Sequence, residues 1–384
     1  MELCKMNIKK LLPFLLIAVF ISNFALFVSK NESYFTRKFD PDFYGKLYSD
    51  SQYVKGELSK GGIGDDGLYA FAGHYYLFNK GDVSAVNFEH PPLGKYLIGI
   101  SVLLFNNENI INLIYFFLLL LLTYKIGLLI TKDRLFSLIG TVLLSFDPLF
   151  LDNLLRSMLD LPFTLFFIAA VYYFLIGLGN KNTLYLSSLF WGMAFSTRFF
   201  PVLGLILILL GILISIYNKK LLYSYILSLF IIPTVYLVSH LSFFFYHPSL
   251  VEFIRHKIWM LSWFRGSSVI FANIWQNISK GIFINSQGVI SSNKYWTPVL
   301  PITVLLAMTG VRKALFNKNN SKLIVLFGIC FLYLFYLTIL TNGDQKFLMP
   351  IYPLIIILAI HHAVRGCSII TACGKRIFSR LKIK

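Results

Sequence analysis

Residues 86–100 read VNFEHPPLGKYLIGI, and whether the helix that opens after Pro91-Pro92 crosses a membrane decides the fold. Glu89, His90 and Lys95 stand around the proline pair, directly before an apolar run. The surrounding chain is greasy throughout: 57% of its 384 residues are hydrophobic and mean hydropathy is +0.70. Several apolar runs approach or exceed the roughly 18–20 residues that span a bilayer, so an all-α polytopic membrane protein is expected. A formal charge of +18 would suggest nucleic acid in a soluble chain. Here the basic residues punctuate the gaps between apolar runs, which is how membrane topology is written, and nucleic-acid binding is set aside.

With the N-terminus inside, ten spans are expected near residues 11–29, 110–131, 135–149, 161–179, 183–197, 199–217, 221–245, 297–314, 322–340 and 347–364. The first run follows Lys9-Lys10, lacks a small-residue cleavage site and is long enough to span, so it reads as a retained helix rather than a signal peptide. This arrangement places nineteen basic residues in the inside segments against three, Arg156, Arg198 and Lys346, in the short outside turns, as the positive-inside bias requires. It also makes Pro91–Phe105 a juxtamembrane or re-entrant helix, because a full crossing there would invert every later loop; eleven spans is the alternative. Residues 1–364 form one transmembrane domain with long outer loops at 30–109 and 246–296, followed by a basic cytoplasmic tail at 365–384. The four cysteines, Cys4, Cys330, Cys367 and Cys373, show neither a disulfide framework nor zinc-site spacing.

Fifteen of the seventeen acids fall on the outer side of this topology, together with Arg156, Arg198, His247 and Lys346. Ionisable groups beside membrane helices are expensive and serve a site or pair with one another, so any chemistry is expected on the outer face. In GIGDDGLYAFAGHYYLFNKGD (62–82) the glycines let the backbone turn tightly around Asp65-Asp66, which either cap the next helix or present a carboxylate. Leu68, Phe71, Tyr75 and Phe78 follow at helical spacing and suit a short helix on the membrane surface. The prolines of HPP are either a simple helix start or a stiffener that holds Glu89 and His90 off the helix axis. In SFDPLFLDNLLRSMLDLPF (145–163), Arg156 and Asp160 are four apart and would pair across one helical face. In WGMAFSTRFFPVL (191–203), Arg198 sits between spans with apolar flanks and calls for an anion, a lipid headgroup being the plainer candidate.

Taken in order along residues 11–364, the acid pair after the first span, HPPLGK, FDPLF followed by Arg-x-x-Leu-Asp, a basic residue between middle spans, and KFLMPIYPL (346–354) resemble the dolichyl-phosphate-mannose protein mannosyltransferases. These belong to the membrane glycosyltransferases of the GT-C fold, which include the bacterial aminoarabinose transferases to lipid A. The resemblance implies a GT-C bundle of about ten transmembrane helices with juxtamembrane helices in the first outer loop. It implies an enzyme that moves a sugar, mannose above all, from a polyprenyl- or dolichyl-phosphate donor to a hydroxyl on a protein, lipid or glycan, with inversion. The location would be the cell membrane, or the endoplasmic reticulum membrane in a eukaryote, with both termini cytoplasmic.

Carried over residue by residue, the resemblance makes Asp65 the catalytic carboxylate, with Asp66 standing where the family has Glu. The aminoarabinose relatives carry Phe-Glu-Lys-Pro-Pro where this chain has Phe-Glu-His-Pro-Pro, which adds Glu89 to the catalytic set and His90 to the donor-phosphate set with Lys95, Arg156 and Arg198. Asp147, Asp160 and Lys346 are supporting candidates. No cofactor is obligatory; Glu89 and His90 are the candidates to hold a divalent ion, without a ligand spacing that compels one. The loop at 246–296 is short beside the extra domain of the eukaryotic enzymes, which leaves the acceptor open. Two other classes compete. A secondary transporter should show repeated halves and mid-membrane charges, whereas this chain shows no repeat and gathers its charges at one face. A non-catalytic membrane subunit would have no reason to keep Asp65, Glu89, Arg156 and Arg198 together.

Overall fold

A computed structural model describes residues 2–59, 61–264, 268–285, 287–310 and 320–364. Helix α1 (Glu2–Lys30) is followed in the first long loop by α2 (Glu32–Thr36), α3 (Pro41–Ser49), α4 (Gln52–Lys55), α5 (Asp65–Phe78) and α6 (Leu93–Phe105). The bundle continues with α7 (Ile110–Thr131), α8 (Arg134–Ser145), α9 (Pro148–Leu154), α10 (Asp160–Gly177), α11 (Asn182–Thr197) and α12 (Val202–Tyr217). Next come α13 (Leu222–Leu229), α14 (Ile231–Ser239), α15 (Leu241–Tyr246), α16 (Leu250–Phe264) and α17 (Asn273–Lys280). A small antiparallel hairpin, β1 (Ile282–Ile284) with β2 (Ile290–Ser292) in register Ile282 to Ser292, precedes α18 (Val299–Thr309), α19 (Ser321–Leu340) and α20 (Tyr352–Val364).

Among the described residues five stretches are long and apolar enough to cross a membrane: Leu11–Lys30, Ile110–Thr131, Asp160–Gly177, Lys219–Ser239 and Ser321–Leu340. The pair α8 and α9, bent by 62° around Asp147-Pro148, makes six when counted as one span. The other expected spans fall on shorter helices, α11, α12, α18 and α20, so length alone does not establish the count of ten. Arg312, Lys313 and Lys318, the end of the span expected at 297–314 and the tail at 365–384 lie outside the described residues.

α10 is apolar all round and buried on nearly every side, the pattern of a central helix. Tyr333 and Trp191 close around its Phe167, which meets both rings edge to face. α1 by contrast leaves Leu11, Phe14, Ile21 and Leu26 exposed and meets the bundle through Phe24 against Phe116 and Phe117, as a peripheral lipid-facing helix does.

α6 has 13 residues, about 20 Å of helix at 1.5 Å per residue, which falls short of the roughly 30 Å hydrocarbon core. It starts where the sequence placed it, with Pro92 as the residue before its first turn. α5 packs along it through glycines: a Cβ on Gly73 would stand 2.5 Å from the Lys95 carbonyl oxygen and 2.8 Å from Gly99 N. The expected surface helix Leu68–Phe78 is therefore a packed element, with Leu68, Tyr69, Ala72 and Tyr76 buried and Phe78 the member left exposed.

Candidate active site

The end of the bundle that carries α5, α6 and the start of α10 gathers charged groups from five separate segments. Gly64 precedes α5 without a side-chain cap, and Asp65 and Asp66 occupy the first helical turn, where a negative charge is favoured by the exposed N–H groups and the helix dipole. Asp66 accepts from Gly67 N at 3.0 Å, and its carbonyl accepts from Ser157 Oγ at 2.8 Å, which ties α5 to the linker before α10. Asp65 points outward, half exposed, and faces Lys346 Nζ at 3.7 Å.

Arg198 ends α11 with an extended backbone and is buried in an ion pair with Asp160, the first residue of α10. Its guanidinium lies over the rings of Phe347 at 5.4 Å and Phe200 at 5.8 Å, and the Asp65 charge is within its electrostatic reach. Between these groups lies the loop before α6. Burial pushes the Glu89 carboxyl up, and Asp65 adds to the push, while its own backbone N–H and Lys95 oppose it. Burial holds His90 well below the usual histidine range, with Arg198, Lys95 and Lys346 acting in the same direction; its imidazole is neutral at pH 7. Glu89 Oε2, His90 Nδ1 and Asn87 Nδ2 are buried without a hydrogen-bond partner. Three orphaned polar atoms on one loop, beside Arg198 and Lys346, fit a site that a polar ligand completes.

The loop is held by Lys95. Its ammonium donates to Asn87 O at 2.5 Å, Asn87 Oδ1 at 3.1 Å and His90 O at 2.7 Å, and it is fully buried near the face of Tyr76. Burial draws it down to about 7, with Glu89 opposing. Lys95, expected at a donor phosphate, turns its Nζ instead onto Asn87 and His90 of the loop that presents Glu89, and in this geometry it positions that loop.

Two further expectations are corrected. Arg156 does not pair with Asp160, because α9 ends at Leu154 and α10 begins at Asp160, so the two never share a helix. Arg156 bonds Asp152 at 3.0 Å, and Asp152 also takes Lys294 at 3.4 Å and the Tyr295 hydroxyl at 2.8 Å. Asp147 is a buried helix cap, accepting from Leu149 N at 3.0 Å and Phe150 N at 3.3 Å, which accounts for its place in the sequence without the site. Asp65, Glu89, His90, Arg198, Asp160 and Lys346 thus come together, whereas Asp147 caps α9 and Arg156 pairs with Asp152. Among the described residues no group of three or more His, Cys, Asp or Glu side chains is arranged to hold a metal ion.

Residues that the sequence did not signal complete the site. Tyr53 of α4 lies within electrostatic reach of Glu89 and Asp65, Tyr69 is buried beside Asp65, Arg198 and Asp160, and Phe264 of α16 meets both His90 and Phe199. The strap that carries Lys346 is fixed by the second long loop. Asn273 and Asn277, one turn apart on α17, donate to Asn342 O at 2.6 Å and Gly343 O at 3.0 Å, and Asn293 donates to Gln345. Gly343 is required there: its φ is +75°, and a Cβ would stand 2.5 Å from Ile274 N.

Residues 89–243 match the family described as dolichyl-phosphate-mannose-protein mannosyltransferase. The fold is that of ArnT from Cupriavidus metallidurans. Its apo crystal structure aligns with a TM-score of 0.57 at 13% identity, over 81% of this chain and 59% of that one. The crystal structure bound to undecaprenyl phosphate aligns with a TM-score of 0.56 at 14% identity, over 92% and 64%. This chain therefore spans 59–64% of the length of those solved structures. No curated protein matches the sequence. The resemblance read from the motifs, to this family and to the aminoarabinose transferases, is the one both matches return.

Proposed function

We propose that this protein is a membrane glycosyltransferase that moves a sugar from a polyprenyl-phosphate donor to an acceptor hydroxyl on the outer face, with mannose as the sugar. The observation that carries this reading is the convergence, from four separated segments, of an exposed carboxylate, a buried arginine, a lysine and a loop of orphaned polar atoms. The family matched by residues 89–243 and the undecaprenyl phosphate in the bound ArnT crystal structure support a lipid-phosphate donor. Asp65 is the half-exposed carboxylate at the mouth and takes the proton of the acceptor hydroxyl as its oxygen attacks the anomeric carbon. The bond from that carbon to the phosphate oxygen breaks, the configuration inverts, and the lipid phosphate leaves with the electron pair. Arg198 and Lys346 stabilise the charge that develops on the phosphate, contacts that gain strength where water is excluded. Glu89 and neutral His90 orient the sugar or the acceptor through Oε2 and Nδ1.

In this reading the helices shorter than a full span complete a ten-span GT-C bundle with both termini cytoplasmic, and the acceptor is a protein hydroxyl, a lipid or a glycan. The test is incubation of the protein in membranes with radiolabelled polyprenyl-phosphate mannose, the product being identified by mass. Label should move to a new product in the wild type and stay on the donor in Asp65→Asn with insertion unchanged. Transfer by Asp65→Asn at the wild-type rate would remove Asp65 as the base.

A further inference from the structure

Helix α16 divides its surface into three sectors. At about 100° per residue, Leu250, Val251, Ile254, Ile258 and Leu261 fall within one arc of roughly 100°, and all five are exposed. Ser262, Arg255, Trp259 and Glu252 occupy the neighbouring arc, with Trp259 turned onto Phe88. The remaining side carries Phe253 and Met260, both buried, with His256 stacked on Phe243 at 5.3 Å and Lys257 Nζ donating to His240 Nε2 at 2.8 Å. A helix of a soluble loop needs two sectors, one for the protein and one for water. Among the described residues the third, aliphatic sector is left largely uncovered by protein and needs another medium.

We propose that α16 lies in the membrane interface on the side of the candidate site, with its aliphatic sector among the acyl chains, Arg255 among headgroup phosphates and its third face against the protein. The partner is the lipid surface itself. Continuity carries this choice: the stretch Lys219–Ser239 is long and apolar enough to cross, and α16 begins only eleven residues after it. The exposed apolar surface runs on between them through Leu241, Phe245 and Tyr246. The start of α16 is tied down to the first long loop, where His247 bonds Asp82 at 2.7 Å and approaches Glu252 at 3.6 Å, so the helix is held flat against the bundle. A 15-residue amphipathic helix with a basic residue flanking its apolar face suits burial at the boundary of headgroups and acyl chains. Because Trp259 stacks on Phe88 with ring centroids 3.5 Å apart and Phe264 meets His90, the lipid-seated helix would form one wall of the site. The loop at 246–296 is then in part a membrane element.

The test uses the full chain in lipid nanodiscs with Cys4, Cys330, Cys367 and Cys373 replaced, and one spin label at a time introduced through I254C, I258C, R255C or S262C. All four positions are exposed, so labelling leaves the packing intact. Collision with oxygen, which concentrates in lipid, is compared with collision with a water-soluble nickel chelate. The oxygen-to-nickel ratio should be severalfold higher at 254 and 258 than at 255 and 262. Equal access of the chelate to all four positions would overturn the proposal and leave α16 in water as a surface for a soluble acceptor. Shielding of 254 and 258 from both reagents, with spin–spin broadening that disappears on dilution with unlabelled chain, would overturn it in favour of a second copy.

Discussion

Replacing Asp160 with Asn should destabilise the protein through Arg198 rather than through Asp160 itself. The pair is buried, with side-chain exposures of 10% for Arg198 and 5% for Asp160. Breaking a buried pair by removing one partner costs about 3–5 kcal/mol, because the remaining charge is left uncompensated. Asp160 also opens α10, and losing a charge at a helix N-terminus costs a further 0.3–1 kcal/mol or so. Against this, the faces of Phe347 and Phe200 remain beneath the guanidinium, an interaction worth on the order of 1–2 kcal/mol where water is excluded. The Asp65 charge is also near. The net expectation is a loss of about 2–4 kcal/mol. Arg198→Met alone strands the carboxylate and should cost a similar amount, whereas Asp160→Leu with Arg198→Met removes both charges and should return to within about 1 kcal/mol of wild type. Denaturant unfolding in micelles at constant pH, run as a double-mutant cycle of Asp160→Leu, Arg198→Met and the two together, reads this directly as a coupling of at least 2 kcal/mol or so. Additive single losses, or an Asp160→Asn change below about 0.5 kcal/mol, would refute the argument that the pair acts as one unit.

Three other outcomes are expected. Lys95→Met removes the donors to Asn87 and His90 and leaves buried acceptors unpaired at about 1–3 kcal/mol each; amide exchange at residues 88–90 should accelerate, and unchanged exchange would show that the loop stands without it. Gly343→Ala forces a left-handed φ of +75° on a residue with a Cβ, about 1–2 kcal/mol before any clash, and should loosen the Lys346 strap. A disulfide between cysteines placed at 65 and 346 would then form more slowly than in the Gly343 background, and equal rates would refute it. Burial draws His256 down to about 4, with Lys257 acting in the same direction. The folded state therefore binds fewer protons than the unfolded chain between pH 6.5 and 4, and stability falls as pH drops through that window. His256→Gln should flatten this part of the thermal-midpoint profile; an unchanged slope would point to another group.

Much of the fold was legible because membrane structure is written in local signals. Apolar runs foretold α1, α7, α10 and α19, and the proline pair foretold the start of α6, whose 13 residues match α20 in length, so length alone does not decide which of the two crosses. Within the site, Asp65, Glu89, His90 and Arg198 were found by motif, and the structure gathers them. The failures share a cause. Arg156 and Asp160 have ideal helical spacing, but the helix breaks between them, and spacing says nothing about a break that Ser157 helps to fix from α5. Lys95 looked like a ligand for phosphate because a lysine next to a site reads the same whether its ammonium turns outward or back into its own loop.

The sequence by itself determined the medium, the helical class and the cast of charged residues, since hydropathy, charge bias and proline act within a few residues of one another. Only the tertiary structure decided the partnerships: Arg198 with Asp160, Lys346 with Asp65, Lys95 with the Asn87–His90 loop, and the asparagines of α17 with the strap from Asn342 to Gln345. Each joins segments or side-chain rotamers that no local pattern relates. In a buried, poorly solvated site the energy of a charge depends on which single neighbour it meets, and that neighbour is chosen by how the helices pack.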